Sequence, residues 1–307
     1  MGSLRTMPER IAYDEFSMFH ENAQEWGLPY DADPEVRRVE LSIGSDRSLS
    51  ALAWGAQPAD LLLVHGGAQN AHTWDTVALA LNHPLLAVDL AAHGHSGPNP
   101  AGPANAFANG EDLAEVLRRH LATPAVMVGM SLGGLSCIAA SGIVPEAIAH
   151  LVVVDITPGV NAEKTKAITA FVNGPPGFAD FDELLARTIE HNPTRSVSSL
   201  RRGVLHNAVQ LEDGSWSWRW ALHRGEAPTD TARRDVAELW DVIAGSEVPF
   251  TLVRAMGKGS VVGDDDVEAL RARRPDAQVV EVADAGHSVQ GDQPLVLTEL
   301  IAGLLAS

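Results

Sequence analysis

Cysteine is nearly absent from this chain: Cys137 is the single one in 307 residues. That excludes an internal disulfide framework and a structural metal site built on cysteine. Positive charge is also scarce, with 22 Lys and Arg against 40 Asp and Glu, a formal net charge of −18. Such a chain repels phosphate backbones and anionic lipid, so nucleic acid and membrane surfaces are not expected partners. No apolar run is long enough to span a bilayer. The first residues carry Arg5, Glu9, Arg10 and Asp14 with no apolar core of a signal peptide, so the cytoplasm is the expected compartment. Internal repeats and low-complexity tracts are missing too. What remains is a length that suits one large α/β domain, or such a domain with an insertion, able to bury a sizeable core.

The most informative stretch is Val126-Met127-Val128-Gly129-Met130-Ser131-Leu132-Gly133-Gly134. An apolar run of strand character ends at Gly129, Ser131 stands between glycines, and a small-residue helical stretch follows, with Cys137 read as a core residue. This is a G-x-S-x-G pattern in the context of strand, sharp turn and helix. A serine held in a strained turn needs neighbours without a Cβ. The following helix would present its first N–H groups, and the positive end of its dipole, to a developing anion.

Along the chain, Pro8 to Trp26 has the pattern of an amphipathic helix stopped by Gly27 and Pro29. Strand candidates follow at Val36–Ile43 and Leu49–Trp54. Leu61-Leu62-Leu63-Val64 and Leu85-Leu86-Ala87-Val88 are all-apolar, as buried parallel strands are. The first runs into His65-Gly66-Gly67-Ala68. The second runs into the turn-rich segment Asp89 to Gly97, whose His93 and His95 read as histidines that hydrogen-bond their own loop, not as metal ligands. Helices are expected over Trp74–Leu81 and Asn105–His120. Leu151-Val152-Val153-Val154 ends in Asp155, at the strand end where open α/β sheets place their sites. The strand rhythm then stops from Gly159 to about Ser246, too far for an ordinary crossover. That segment holds Asp213-Gly214 followed by Trp216, Trp218 and Trp220, which suggests a small hairpin with three indoles on one face, either packing the insertion or lining a pocket. The rhythm resumes at Pro249–Arg254, and the last strand is Ala277–Val282. Asp284-Ala285-Gly286-His287-Ser288 comes next, and Asp292 to Leu305 closes the chain as a helix.

With these motifs in hand, the chain resembles the α/β-hydrolase-fold proteins that carry a cap. The resemblance covers Val36 to the C-terminus and rests on His65-Gly66-Gly67, the Asp89–Ser96 segment, the elbow, Asp155 and Gly286-His287. It implies an α/β fold: a mostly parallel central sheet flanked by helices, with a core of residues 36–158 and 247–307. A mainly helical cap would span 159–246, and residues 1–35 would form an N-terminal extension. It implies Ser131 as nucleophile, His287 as base and acid, and backbone N–H groups of Gly67 and Leu132 as an oxyanion hole.

The third member of the triad has two candidates. Most of the family carries its acid in the loop after the strand that follows the cap, but here Arg254 to Val262 contains none. Asp264, Asp265 and Asp266 fit a helix start better. The sequence is similar to a subset whose acid ends the strand after the elbow. Asp155 stands there, Ser260 would fill the vacated place, and Asp264 is the alternative acid. A serine nucleophile implies an acyl-enzyme on an ester, thioester or lactone, or cleavage of a C–C bond beside a ketone. The resemblance therefore implies a serine hydrolase of a small carboxylic ester or lactone. A C–C bond hydrolase of a ring-cleavage product is the alternative enzyme, and a binding protein without efficient turnover the alternative of another class. No cofactor or metal is expected. The expected partner is a small-molecule substrate, with a homodimer left open. Few arginines cluster in the cap segment, which argues against a polyanionic substrate, although Arg201, Arg202 and Arg219 keep that question open.

Overall fold

Alternation of apolar strands with amphipathic helices leaves a chain one economical solution: a sheet buried on both faces by helices. The computed structural model, which describes residues 10–44, 46–99, 105–192, 195–223 and 234–306, has that form. Helix α1 (Phe19–Trp26) leads into strands β1 (Val36–Ser42), β2 (Ser48–Trp54) and β3 (Ala59–Val64). Then come α2 (Asp75–Leu81), β4 (Leu85–Val88), α3 (Ala106–His120), β5 (Leu121–Met130), α4 (Leu132–Ser141) and β6 (Ile148–Val154). A long segment follows with α5 (Lys166–Val172), β7 (Gly177–Phe178), α6 (Phe181–His191), α7 (Val197–Asn207), β8 (Ala208–Gln210), β9 (Trp216–Trp218) and α8 (Leu239–Gly245). The core resumes with β10 (Phe250–Ala255), α9 (Asp264–Arg273), β11 (Gln278–Val282), α10 (Val289–Asp292) and α11 (Pro294–Leu305).

Eight strands share one sheet in the order β1-β2-β4-β3-β5-β6-β10-β11. The pairs β1–β2 and β2–β4 are antiparallel, and the remaining neighbours are parallel. The C-terminal ends of β3, β5 and β6 therefore lie side by side, with Val64 opposite Gly129 and Met130 opposite Val154. That alignment brings together loops far apart in sequence. One face of the sheet packs against α3, α4, α8 and α9 through residues such as Leu117, Ile138, Ile243 and Leu270. The other packs against α1, α2 and α11 through Phe19, Val77 and Ile301. Helices α3 and α4 touch closely at Gly110, where a Cβ would lie 2.6 Å from that of Ala139.

The expected helix from Pro8 is shorter than its pattern, beginning at Phe19; residues 1–9 lie outside the described ones. Asp14 is the local reason. Its side chain accepts from the Phe16 N–H and its carbonyl from Ser17, a turn that competes with helix. Gly27 ends α1 as its spacing predicts, in the left-handed conformation at φ 65°. The closing helix expected over Asp292–Leu305 is α11, opened by Pro294, and the short α10 before it meets it at Gln293.

Between β6 and β10 the chain builds its own three-stranded sheet, β7-β9-β8, all antiparallel. The hairpin around Asp213-Gly214 is β8–β9, closed by Leu211 and Ser215. Trp216 and Trp218 alternate along β9, whereas Trp220 sits in the 3₁₀ turn that follows. All three are buried in one apolar cluster with Phe178, Leu184 and Val204. Helix α8 packs instead on α4, with Leu239 and Trp240 in the main core. Among the described residues no helix is long and apolar enough to cross a membrane.

Candidate active site

Ser131 occupies a sharp turn between β5 and α4, with φ 53° and ψ −120°. Few side chains tolerate that conformation, which costs about 1–3 kcal/mol and persists only where the surroundings impose it. Here close packing imposes it. A Cβ at Gly133 would lie 2.4 Å from the His65 carbonyl oxygen, and one at Gly129 would lie 2.5 Å from Cys137 Sγ. Cys137 is buried, and burial pushes its thiol up, so it serves as packing beneath the turn.

The loop after β3 faces Ser131. A Cβ on Gly66 would come within 3.2 Å of the Ser131 Cβ, and one on Gly67 within 3.9 Å of the Leu132 side chain. Gly67 and Leu132 are thus neighbours across the turn, and Leu132, as the first residue of α4, has an N–H without an intrahelical acceptor. The loop is held on both sides of Gly67. Gly66 N–H donates to Gln69 Oε1 at 3.1 Å, and Ala68 N–H donates to His93 Nε2 at 3.1 Å. His93 Nδ1–H donates in turn to the Ala91 carbonyl. His65 accepts from the Leu90 N–H through Nε2. Burial pushes His65 down to about 3 and lowers His93, so both rings are neutral scaffolding. Both are loop-bonding histidines, the kind expected for His93. His95 is part-exposed, and its N–H donates to Asp89.

Asp155 and His287 meet although 132 residues separate them: His287 Nδ1–H donates to Asp155 Oδ2 at 2.9 Å. Asp155 is fully buried at φ 48° and also accepts from the Val261 N–H (3.1 Å), the Ala255 N–H (3.0 Å) and Ser260 Oγ (2.7 Å). Four donors fix the carboxylate in place. The other nitrogen of His287, Nε2, is buried and has no hydrogen-bond partner among the described residues. Asp264 takes no part in this arrangement. It opens α9, its side chain is 95% exposed, and it pairs with Arg254 at 2.7 Å. Asp265 and Asp266 bind Lys164, and Asp266 also accepts from Thr157 and the Gly263 N–H. Replacing Ser260 by Ala removes one of the four bonds to Asp155, so turnover is expected to fall about five- to tenfold, a far smaller loss than for the acid itself. Steady-state rates of the Ser260→Ala variant check this.

A half-open cleft of about 180 Å³ adjoins this line of residues. Its wall includes Ala68 and Gln69, next to Gly67, and Ser288, next to His287, but not Ser131 itself. Of the three tryptophans only Trp218 lines it, its ring edge-on to Phe171 and Phe178; Trp216 and Trp220 serve the apolar cluster behind it.

Deeper in the wall lies a charged network that sequence patterns did not reveal. His72 donates to Asp75 Oδ2 (2.8 Å) and Glu15 (3.0 Å), while Arg38 binds Glu15 and Asp89. The one available signal was His72 and Asp75 three residues apart at a helix start. Burial pushes His72 down, but Asp75 and Glu15 outweigh it and hold the ring up at about 9. Burial, with the charge on His72, pushes the neighbouring His206 well below the ordinary value. His72, Asp75 and His206 also form the one group of potential metal ligands found among the described residues. The two rings stack face to face, 3.8 Å apart and 9° from parallel. Their in-plane lone pairs therefore run parallel and do not converge, and both nitrogens of His72 are occupied, so the arrangement fits a hydrogen-bonded network and not a metal centre. Because His72 is raised on folding, its contribution is whole below pH 6.5 and is lost as pH rises through 9. Melting temperatures are expected to fall over that range in the native protein and to stay flatter in His72→Gln; equal slopes would contradict the network.

The model of the alpha/beta hydrolase family matches residues 61–300. An esterase of Mycobacterium tuberculosis, Rv0045c, is 40% identical over 97% of each chain. A solved structure of that esterase, described with its transition metal inhibition, covers 97% of this chain and all of its own at a TM-score of 0.82. The 2-(acetamidomethylene)succinate hydrolase of Mesorhizobium japonicum is 27% identical over 80% of this chain and 87% of its own. A mouse sn-1-specific diacylglycerol lipase, ABHD11, is 27% identical over 80% of each. With its sheet order, its strained turn and these likenesses, the chain belongs to the alpha/beta hydrolase family, and its class of chemistry is that of a carboxylic ester hydrolase.

Proposed function

We propose that this enzyme cleaves a small carboxylic ester or lactone through an acyl-enzyme formed on Ser131. The observation that carries the reading is His287, part-buried, bonded to Asp155 through Nδ1 and with its buried Nε2 unpartnered among the described residues, together with a serine in a strained turn. Ser131 Oγ attacks the ester carbonyl as His287 Nε2 takes its proton. Asp155 keeps the ring in the tautomer that leaves Nε2 able to accept, and stabilises the imidazolium that forms. The tetrahedral oxyanion is held by the N–H groups of Gly67 and Leu132. Collapse expels the alcohol, which receives the proton from His287. Water then attacks the acyl-enzyme with the same base, releasing the acid and restoring Ser131.

The segment between β6 and β10 acts in this reading as a cap, whose α6, α7 and Trp218 cover the cleft. We propose a cytoplasmic location as well, which fractionation of the producing cells tests. For the chemistry, a fluorophosphonate probe followed by peptide mapping is the direct experiment. One adduct, on Ser131, is expected. An enzyme that turns over esters yet carries its adduct elsewhere would refute the assignment. A substrate panel of simple esters, lactones and vinylogous diketone acids separates ester cleavage from C–C cleavage.

A further inference from the structure

We infer that the cleft beside Ser131 and His287 contains an anion subsite, built on Arg195, that selects esters carrying a free carboxylate. This rests on the ester-hydrolase reading and names its substrate class. The first observation is a reversal of charge. The chain has a formal net charge of −18, yet the charged and titratable residues on the cleft wall are Arg195, Arg202, His72 and His206 against Asp75 alone. Most of these are neutralised in place. Asp75 is bonded to His72, and Arg202 is bonded to Glu21 and Glu25.

Arg195 is the exception. Among the described residues its guanidinium makes one hydrogen bond, Nη2 to Ser199 Oγ at 2.7 Å, and its buried Nε has no partner. Its nearest carboxylate oxygen, Asp292 Oδ1, lies 4.0 Å from Nε, at the limit of an ion pair, and Asp292 Oδ2 already accepts from the Gly286 N–H. A guanidinium has five donors and a planar fork that matches a carboxylate, so one held in a cleft with a single bond is short of acceptors.

Its position gives the shortage a use. A Cβ at Gly291 would fall 2.8 Å from Cζ, 2.9 Å from Nη1 and 3.0 Å from Nη2 of Arg195. The guanidinium therefore occupies the space of a missing side chain on the segment that directly follows His287. Ser288 lines the same wall, and its hydroxyl accepts from Gln69 Nε2 at 3.3 Å, which leaves its own proton for the cleft. One guanidinium and one hydroxyl suit a single carboxylate. A phosphate dianion would want a second unpaired cation, and Arg202 is already neutralised.

Two matched pairs test this: 4-nitrophenyl glutarate monoester against 4-nitrophenyl pentanoate, and 4-acetoxybenzoate against phenyl acetate. In at least one pair kcat/KM is expected to favour the anion tenfold or more. Arg195→Gln should collapse that ratio at least tenfold, mainly through KM, and Arg195→Lys should keep part of it. Arg201→Gln removes an equal charge from the exposed side of α7 and should leave the ratio unchanged. Preference for the neutral ester in both pairs, or an Arg201→Gln effect as large as that of Arg195→Gln, overturns the subsite. If no ester is turned over, the hydrolase reading fails by itself. Calorimetry with glutarate then judges the subsite: binding lost in Arg195→Gln supports it, and no binding to the native enzyme overturns it.

Discussion

Replacing Ser131 by alanine is expected to lower kcat for activated esters by on the order of 10⁴- to 10⁶-fold while the fold survives. The two halves of that expectation have separate causes. Ser131 Oγ is the atom that would become acylated, and no hydroxyl next to it in the turn can replace it. Yet the same oxygen makes no hydrogen bond among the described residues, and alanine meets the same backbone at φ 53°, so little stability is lost. The melting temperature should remain within a few degrees of the native value, and the fluorophosphonate adduct should vanish. Residual rate above water would come from the oxyanion donors proposed at Gly67 and Leu132. Undiminished turnover in Ser131→Ala would remove the serine from the mechanism.

The second large effect is expected at Asp155. Its carboxylate receives only donors: two backbone N–H groups, a hydroxyl and the Nδ1–H of His287. Asparagine has one oxygen and one NH₂, so whichever way the amide turns, a donor faces a donor. If the NH₂ faces Val261 and His287, the ring must switch tautomer and Nε2 carries a proton it should be free to accept. A loss of about 10⁴-fold in kcat is expected for Asp155→Asn. Stability should also fall, by about 1–3 kcal/mol, for the buried N–H left unpaired. Asp264→Asn, in contrast, alters an exposed carboxylate paired with Arg254 and should leave kcat within about twofold. Measuring both variants against the native enzyme separates the two acids. Near-native rates in Asp155→Asn with a large loss in Asp264→Asn would reverse the assignment.

Local pattern carried much of this molecule. Apolar four-residue runs marked β3 and β4, because a strand buried on both faces has no polar side to show. The glycines around Ser131 were legible because a turn packed this closely forbids a Cβ. An aspartate ending the strand after the elbow was visible for the same reason of position. Where side chains act on distant partners, pattern was mute. The start of α1 was misjudged because Asp14 and Ser17 form a turn that an apolar periodicity cannot register. The tryptophans formed a recognisable hairpin, but which of them faces the cleft depends on how β9 and the turn after it lie over the core.

Composition and spacing by themselves determined the alternation of strands and helices, the glycine-flanked turn at Ser131, and the absence of a disulfide framework. These depend on residue type and on neighbours within one or two elements, where short-range sterics and burial act. The tertiary structure alone decided which acid reaches His287, because that requires the ends of β6 and β10 to lie side by side in the sheet. It alone also decided that Arg195 is left short of acceptors in a cleft lined by residues from α1, from the loops of the main sheet and from the segment between β6 and β10. A charge is paired or unpaired only with respect to groups that folding brings within a few ångströms, and no spacing along a chain records that distance.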